Sequence, residues 1–153
     1  YEQALPIYRA VGDRNGEAVT LSNMGTIHWA LNNQYNALDY YEQAILQFHI
    51  VGNKEGEANT LNNIGAVYEA VGDKHKALIY YEQALPILHD VGSQSSEAII
   101  CFNIGRVYEA LGDLDKAIAF VERCVILDEQ IQHPDLESDR QYLMRLKHKR
   151  GAR

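Results

Sequence analysis

The stretch Thr60–Ala84, TLNNIGAVYEAVGDKHKALIYYEQA, returns almost intact forty residues upstream as Thr20–Ala44 and forty residues downstream as Ile100–Cys124. Single columns set the register. Gly25, Gly65 and Gly105 align, as do Asn23, Asn63 and Asn103, and as do Ala37, Ala77 and Ala117. The tetrapeptide Tyr1-Glu2-Gln3-Ala4 repeats as Tyr41–Ala44 and Tyr81–Ala84. A fixed period of this size is the signature of a stacked-repeat architecture, in which one unit cannot bury its own apolar face and neighbours must cover it. Function then has to be read from what the stack presents.

Within a unit the apolar residues follow helical spacing. Leu61, Ile64, Gly65 and Tyr68 stand at i, i+3, i+4 and i+7, and Ala77, Tyr81, Ala84, Leu85 and Leu88 share one face of a partner helix. Between them Gly72-Asp73 reads as a stop and a restart, because glycine accepts the left-handed conformation past a helix end and aspartate caps the next one. Gly12-Asp13, Gly52-Asn53 and Gly92-Ser93 are expected to do the same between units, each with a capping side chain. Little favours a strand. The expected fold is all-α: a right-handed solenoid of antiparallel helix pairs in a single array over 1–153. Its parts are the second helix of a truncated repeat at 1–11, full repeats at 13–51, 53–91 and 93–131, and a capping helix at 134–150. Pro6 and Pro86 are expected deep inside helices, as kinks, and Pro134 in the first turn of the capping helix. That last helix keeps Glu137 in the column of Glu17, Glu57 and Glu97 but loses the Asn and Gly columns.

Composition narrows the function classes. The net charge of −7 is uneven: Arg140, Arg145, Lys147, Lys149, Arg150 and Arg153 fall in a tail without acids, leaving 21 acids against eight bases elsewhere. An acidic body repels phosphate backbones, so nucleic acid is not the expected partner. The basic tail reads as a solvated helix end suited to the dipole. Apolar runs fall far short of the roughly 20 residues a membrane helix needs, so no membrane association is expected. The chain opens inside a repeat, without a signal peptide or an initiator methionine, and reads as a piece of something longer. Cys101 and Cys124 stand in the columns of Leu21 and Leu61 and of Ala44 and Ala84, and are expected to act as small buried hydrophobes. A reducing, cytoplasmic compartment follows.

These residues resemble the tetratricopeptide repeat family. Its pattern appears as Leu61, Ile64, Gly65, Tyr68, Ala77, Tyr81 and Ala84, and again as Ile104, Gly105, Tyr108 and Ala117. The unit is 40 residues rather than the usual 34. It is similar to the repeats of LGN/Pins-type polarity adaptors, of kinesin light chains, and of arrays fused to signalling modules in filamentous bacteria. His28, Val121, Cys124 and the pair Asn32-Asn33 depart from the pattern. The resemblance implies that the first helices of the units line the concave face of a superhelix.

On that face the resemblance makes Asn23, Asn63 and Asn103 candidates to hydrogen-bond the backbone of an extended peptide. A carboxamide both donates and accepts, so it can pair with a peptide unit of any sequence. The alternative is that each asparagine holds a neighbouring helix or loop. Specificity would come from the side chains beside the ladder. These are Ser22, Thr26 and Trp29 in the first unit, Asn59, Asn62, Ala66 and Glu69 in the second, and Ile99, Phe102, Arg106 and Glu109 in the third. Trp29 and Phe102 are candidate apolar anchors, although Trp29 equally suits plain packing, and Arg106 could meet a ligand carboxylate. No catalytic, cofactor or metal site is expected. The glycines are helix stops and close-packing positions, His49 and His89 lack a third ligand, and Glu17, Glu57, Glu97 and Glu137 suit the first turns of their helices. The chain is therefore expected to be a non-catalytic scaffold or adaptor that binds a protein or peptide. Two alternatives stay open: self-association through the orphan helix by way of Ala4, Leu5 and Tyr8, and a regulatory array serving an effector domain.

Overall fold

A computed structural model describes residues 1 and 3–152; Glu2 of the opening tetrapeptide and Arg153 of the basic tail lie outside the described residues. Eight helices and no strand are found among the described residues: α1 (Ala4–Val11), α2 (Arg14–Ala30), α3 (Gln34–Val51), α4 (Lys54–Ala70), α5 (Lys74–Val91), α6 (Gln94–Leu111), α7 (Leu114–Ile131) and α8 (Leu136–Gly151). The all-α solenoid class expected from the sequence is the class observed. By contact, the chain divides into two compact units, 1–87 and 88–153.

The helix stops work as the sequence predicts. Gly52 takes φ +71°, and its left-handed turn lets Asn53 N–H reach back to the Phe48 carbonyl at 3.0 Å. The Asn53 side chain then accepts from Gly56 N–H at 2.8 Å. Asp13, Asp73 and Asp113 cap in the same way, at 2.8, 3.1 and 3.1 Å. Asn32 stands in for glycine with φ +58°, and Asn33 caps Asn36 N–H at 3.3 Å. Ser93 makes no side-chain cap bond, so one of the expected caps is missing.

Two proline expectations are corrected. Pro6 is the third residue of α1, where the backbone N–H has no helical partner to lose, so it sits in a first turn rather than deep in a helix. Pro134 falls in the turn two residues before α8 begins. Pro86 does lie inside α5.

In the first unit the core runs from Ala18, Leu21, Ala44 and Phe48 to Ala37, Tyr41, Ile64 and Val67, all buried. Leu5 of α1 packs on the first cluster. Close helix approach depends on the glycine column. A methyl group built on Gly25 would stand 2.6 Å from the Tyr41 ring, and one on Gly65 would stand 2.5 Å from the Tyr81 ring. In the second unit Leu114, Ala117, Ile118, Val121 and Leu146 form the core, with Tyr108, Tyr142 and Leu143 against it. Val121, in the tyrosine column, fills the space beside Gly105 instead.

Candidate functional site

The three asparagines are half-buried, each beside a buried residue and a buried glycine of the same helix. In the first unit Asn23 stands on α2 and Asn63 on α4, and their carboxamides make no hydrogen bond among the described residues. Their neighbours are engaged within the fold. The Ser22 hydroxyl lies 3.4 Å from that of Thr60, joining α2 to α4. Thr26 donates to the Ser22 carbonyl at 3.2 Å and lies 3.1 Å from the Tyr41 hydroxyl. Burial raises the Tyr41 pKa, so this hydroxyl stays protonated. Trp29 packs against Ala37, Tyr41, Ile64 and Val67, the packing alternative for this residue. Glu69 accepts from the Tyr81 hydroxyl at 3.0 Å. Asn59 is exposed, and Asn62 and Ala66 are half-buried.

The second unit holds the remaining candidates. Phe102 meets Tyr142 of α8 with ring centroids 5.2 Å apart. Glu109 accepts from the Tyr142 hydroxyl and from Lys149 Nζ, each at 2.8 Å. The Lys149 ammonium, opposed by burial and aided by Tyr142, holds the Glu109 carboxyl below the usual carboxylate range. Arg145 lies 4.8 Å over the Tyr142 ring. Arg106 and Ile99 are exposed. Asn103, Ile99 and Phe102 line a cavity of about 370 Å³ together with Cys124, Asp128 and Asp139.

Two repeating contacts escaped the sequence reading. The first is an aromatic pair within each repeat: His28–Tyr40, Tyr68–Tyr80 and Tyr108–Phe120 stack at 5.0, 5.4 and 5.8 Å. His28 thereby replaces the family tyrosine without losing its contact, although its Nδ1 is buried with no partner among the described residues. The second is a contact between a basic or imidazole side chain and a glutamate eight residues on, an ion pair where the partner is Arg9. Arg9 meets Glu17 at 2.7 Å, His49 meets Glu57 at 3.5 Å, and His89 meets Glu97 at 3.4 Å. The first-turn glutamates therefore do more than suit the helix dipole. The spacing was present in the sequence, but the two ends belong to different helices and read as unrelated until the turn is built.

Both cysteines are buried and free, as expected. Burial pushes the Cys101 thiol up to about 12. Cys124 is more than a small hydrophobe. Its Sγ lies 3.4 Å from Asp128 Oδ2 and 3.7 Å from Asp139 Oδ2. Burial, and then the Asp128 carboxylate beside it, push Asp139 up to about 6.

Profiles described as Tetratricopeptide repeat match residues 1–48 and 35–90, and a second such profile matches 98–131. No curated protein matches the chain. Among solved structures, the chain is similar to BtubC (BKLC) from P. vanneervenii. The identity is 27% with TM-score 0.76, covering 87% of this chain and 56% of that one. It thus spans little more than half of BtubC. A Podosopora anserina protein of nearly identical TPR-like repeats, assigned as a kinesin light chain, shares the fold at TM-score 0.75 and 18% identity, over 99% of this chain and 76% of that one. The N-terminal domain of stress-induced protein-1 (STI-1) from C. elegans does so at TM-score 0.71 and 16% identity, over 88% and 97%.

Proposed function

Because the chain belongs to the tetratricopeptide repeat family, whose arrays are scaffolds for protein–protein interaction, we propose that it is a non-catalytic module that binds an extended or helical peptide segment across α2 and α4. The observation that carries this reading is the pair Asn23 and Asn63. These carboxamides are equivalent in consecutive units and half-buried against the core, and they make no hydrogen bond within the fold. Both carboxamides are open to water, and exchanging that water for a peptide backbone gains a net of about 1 kcal/mol per hydrogen bond. Ser22 and Thr26, whose hydroxyls have partners already, frame the contact rather than read the ligand. In the second unit Asn103, Ile99 and Phe102 offer a separate apolar and polar wall, with Arg106 as the cation for a ligand carboxylate. The partner is a protein rather than nucleic acid, given the acidic body of the chain. No helix is long and apolar enough to cross a membrane among the described residues. Two free buried cysteines suit a reducing, cytoplasmic setting.

The test is a binding screen of the chain against a library of unstructured peptides, followed by the Asn23→Ala/Asn63→Ala variant. Loss of at least tenfold in affinity with unchanged helicity supports the reading. Undiminished binding by the variant overturns it.

A second reading, self-association through α1, keeps one observation in its favour. Leu5 and Tyr8 face the first repeat, the latter against Gly16, so the open face differs from the one the sequence suggests. Ile7 and Val11 are the exposed apolar pair, at 61% and 70%. Light scattering at high micromolar concentration decides: a dimer that Ile7→Asp dissociates supports this reading, and a monomer rejects it.

A further inference from the structure

The repeat supplies its own control for the third unit. The column of Cys124 holds Ala44 and Ala84, and the column of Asp128 holds Phe48 and Leu88, all buried. The third repeat therefore places a thiol and a carboxylate where its siblings bury a methyl and a large hydrophobe. Both remain 2% exposed. Burying a carboxylate in place of a hydrocarbon is costly unless something compensates it. Asp139, on the first turn of α8, adds a second buried carboxylate at the same point. No Lys or Arg pairs with either aspartate among the described residues; the His133 ring stands beside them, with Nδ1 3.9 Å from Asp128 Oδ1 while accepting from Asp135 N–H at 3.3 Å.

The arrangement has the dimensions of a metal site. Cys124 and Asp128 are i, i+4 on α7, so they share one face, and α8 brings Asp139 opposite them. The three donor atoms lie within 4.8 Å of one another. Zinc bonds of about 2.3 Å to sulfur and 2.0 Å to oxygen at a tetrahedral angle put the two donors roughly 3.5 Å apart. The sulfur–oxygen separations are 3.4 and 3.7 Å. A sulfur donor selects zinc-type ions over magnesium and calcium, which take oxygen alone.

We propose that Cys124, Asp128 and Asp139 form a site for a zinc-type divalent cation that ties α8 to α7. The fourth position opens toward the cavity shared with Asn103, where water or His133 completes the shell. This site stands independently of peptide binding at Asn23 and Asn63. It would neutralise the buried carboxylates and hold the last helix against its repeat.

The test uses the untagged chain, stripped with chelator and titrated with Co²⁺ as a spectroscopic probe and then with Zn²⁺ in competition. The expected result is one ion per chain, a thiolate-to-cobalt charge-transfer band, and a melting temperature raised by Zn²⁺. Cys124→Ala keeps the helical signal, because alanine already occupies that column twice, and abolishes the band. Asp139→Asn, nearly isosteric, weakens Zn²⁺ binding at least tenfold, while Cys101→Ala leaves it unchanged. Absence of the band, or a band that survives Cys124→Ala, overturns the proposal. So does equal Zn²⁺ affinity in Asp139→Asn, which would leave Asp139 outside the shell and α8 untied by the ion.

Discussion

Gly65 and Tyr81 are in contact through a space that only a hydrogen atom fills: a methyl on Gly65 would stand 2.5 Å from the Tyr81 ring. Tyr81 is fully buried and cannot swing aside. Overpacking of this kind costs about 1–3 kcal/mol, against about 1 kcal/mol that alanine returns in helix propensity. Gly65→Ala should therefore lower stability by up to about 2 kcal/mol in urea unfolding. In a Tyr81→Ala background the same change should be neutral or stabilising. A Gly65→Ala effect that is the same in the parent and in the Tyr81→Ala background would remove close packing as the reason for the glycine column.

Arg123 is expected to matter chiefly through Glu97, its longer contact being with His89 Nδ1 at 3.5 Å. Its Nε donates to Glu97 Oε1 at 2.9 Å, with a second guanidinium nitrogen on the same oxygen, and the glutamate is 3% exposed. Removing one partner of a buried pair leaves an uncompensated charge, at about 3–5 kcal/mol. Because Arg123 is itself partly exposed and water screens it, Arg123→Ala should cost about 1–3 kcal/mol. Glu97→Met/Arg123→Met should recover most of that loss in chemical denaturation. A single variant of unchanged stability would mean that water or His89 already compensates Glu97.

The repeat, its helix pairs, its caps and its close-packing columns were legible because each is a local rule sampled three times. Gly65 could be read as a contact glycine, and Asn32 as a poor copy of a helix stop that the structure shows working. What was not legible depends on where helices cross. Tyr142 stands in the Phe102 column, but α8 has lost the Asn and Gly landmarks, so the Phe102–Tyr142 and Glu109–Lys149 contacts had no register from which to be read. The Arg9–Glu17 type of pair was hidden because its ends lie across a turn. The meeting of Asp139 with Cys124 and Asp128 was hidden for the same reason.

Glu109 gives the docking of α8 an acid-sensitive part. Its folded-state pKa lies below the ordinary glutamate value, chiefly because Lys149 bonds the charged form. A depressed acid contributes stability above its unfolded pKa and loses it as pH falls through the folded one. The parent should therefore lose stability below about pH 4.5, and Glu109→Gln should remove part of that slope while being less stable at pH 7. Parallel pH–stability curves for the two chains would show that the Lys149 and Tyr142 contacts contribute nothing.

Trp29 separates packing from recognition. It lies half-buried on α2, packed against the core cluster of Ala37, Tyr41, Ile64 and Val67. Truncating a buried tryptophan costs about 3–5 kcal/mol, and a half-buried one roughly half of that. Trp29→Ala should accordingly lower stability by about 2 kcal/mol, with Trp29→Phe close to the parent. The same two variants discriminate its roles. If Trp29 only packs, Trp29→Phe binds a selected peptide as the parent does. If the indole also anchors the ligand, Trp29→Phe loses affinity while its unfolding midpoint stays in place. The first outcome is expected, because the apolar contacts of this side chain are already made within the fold.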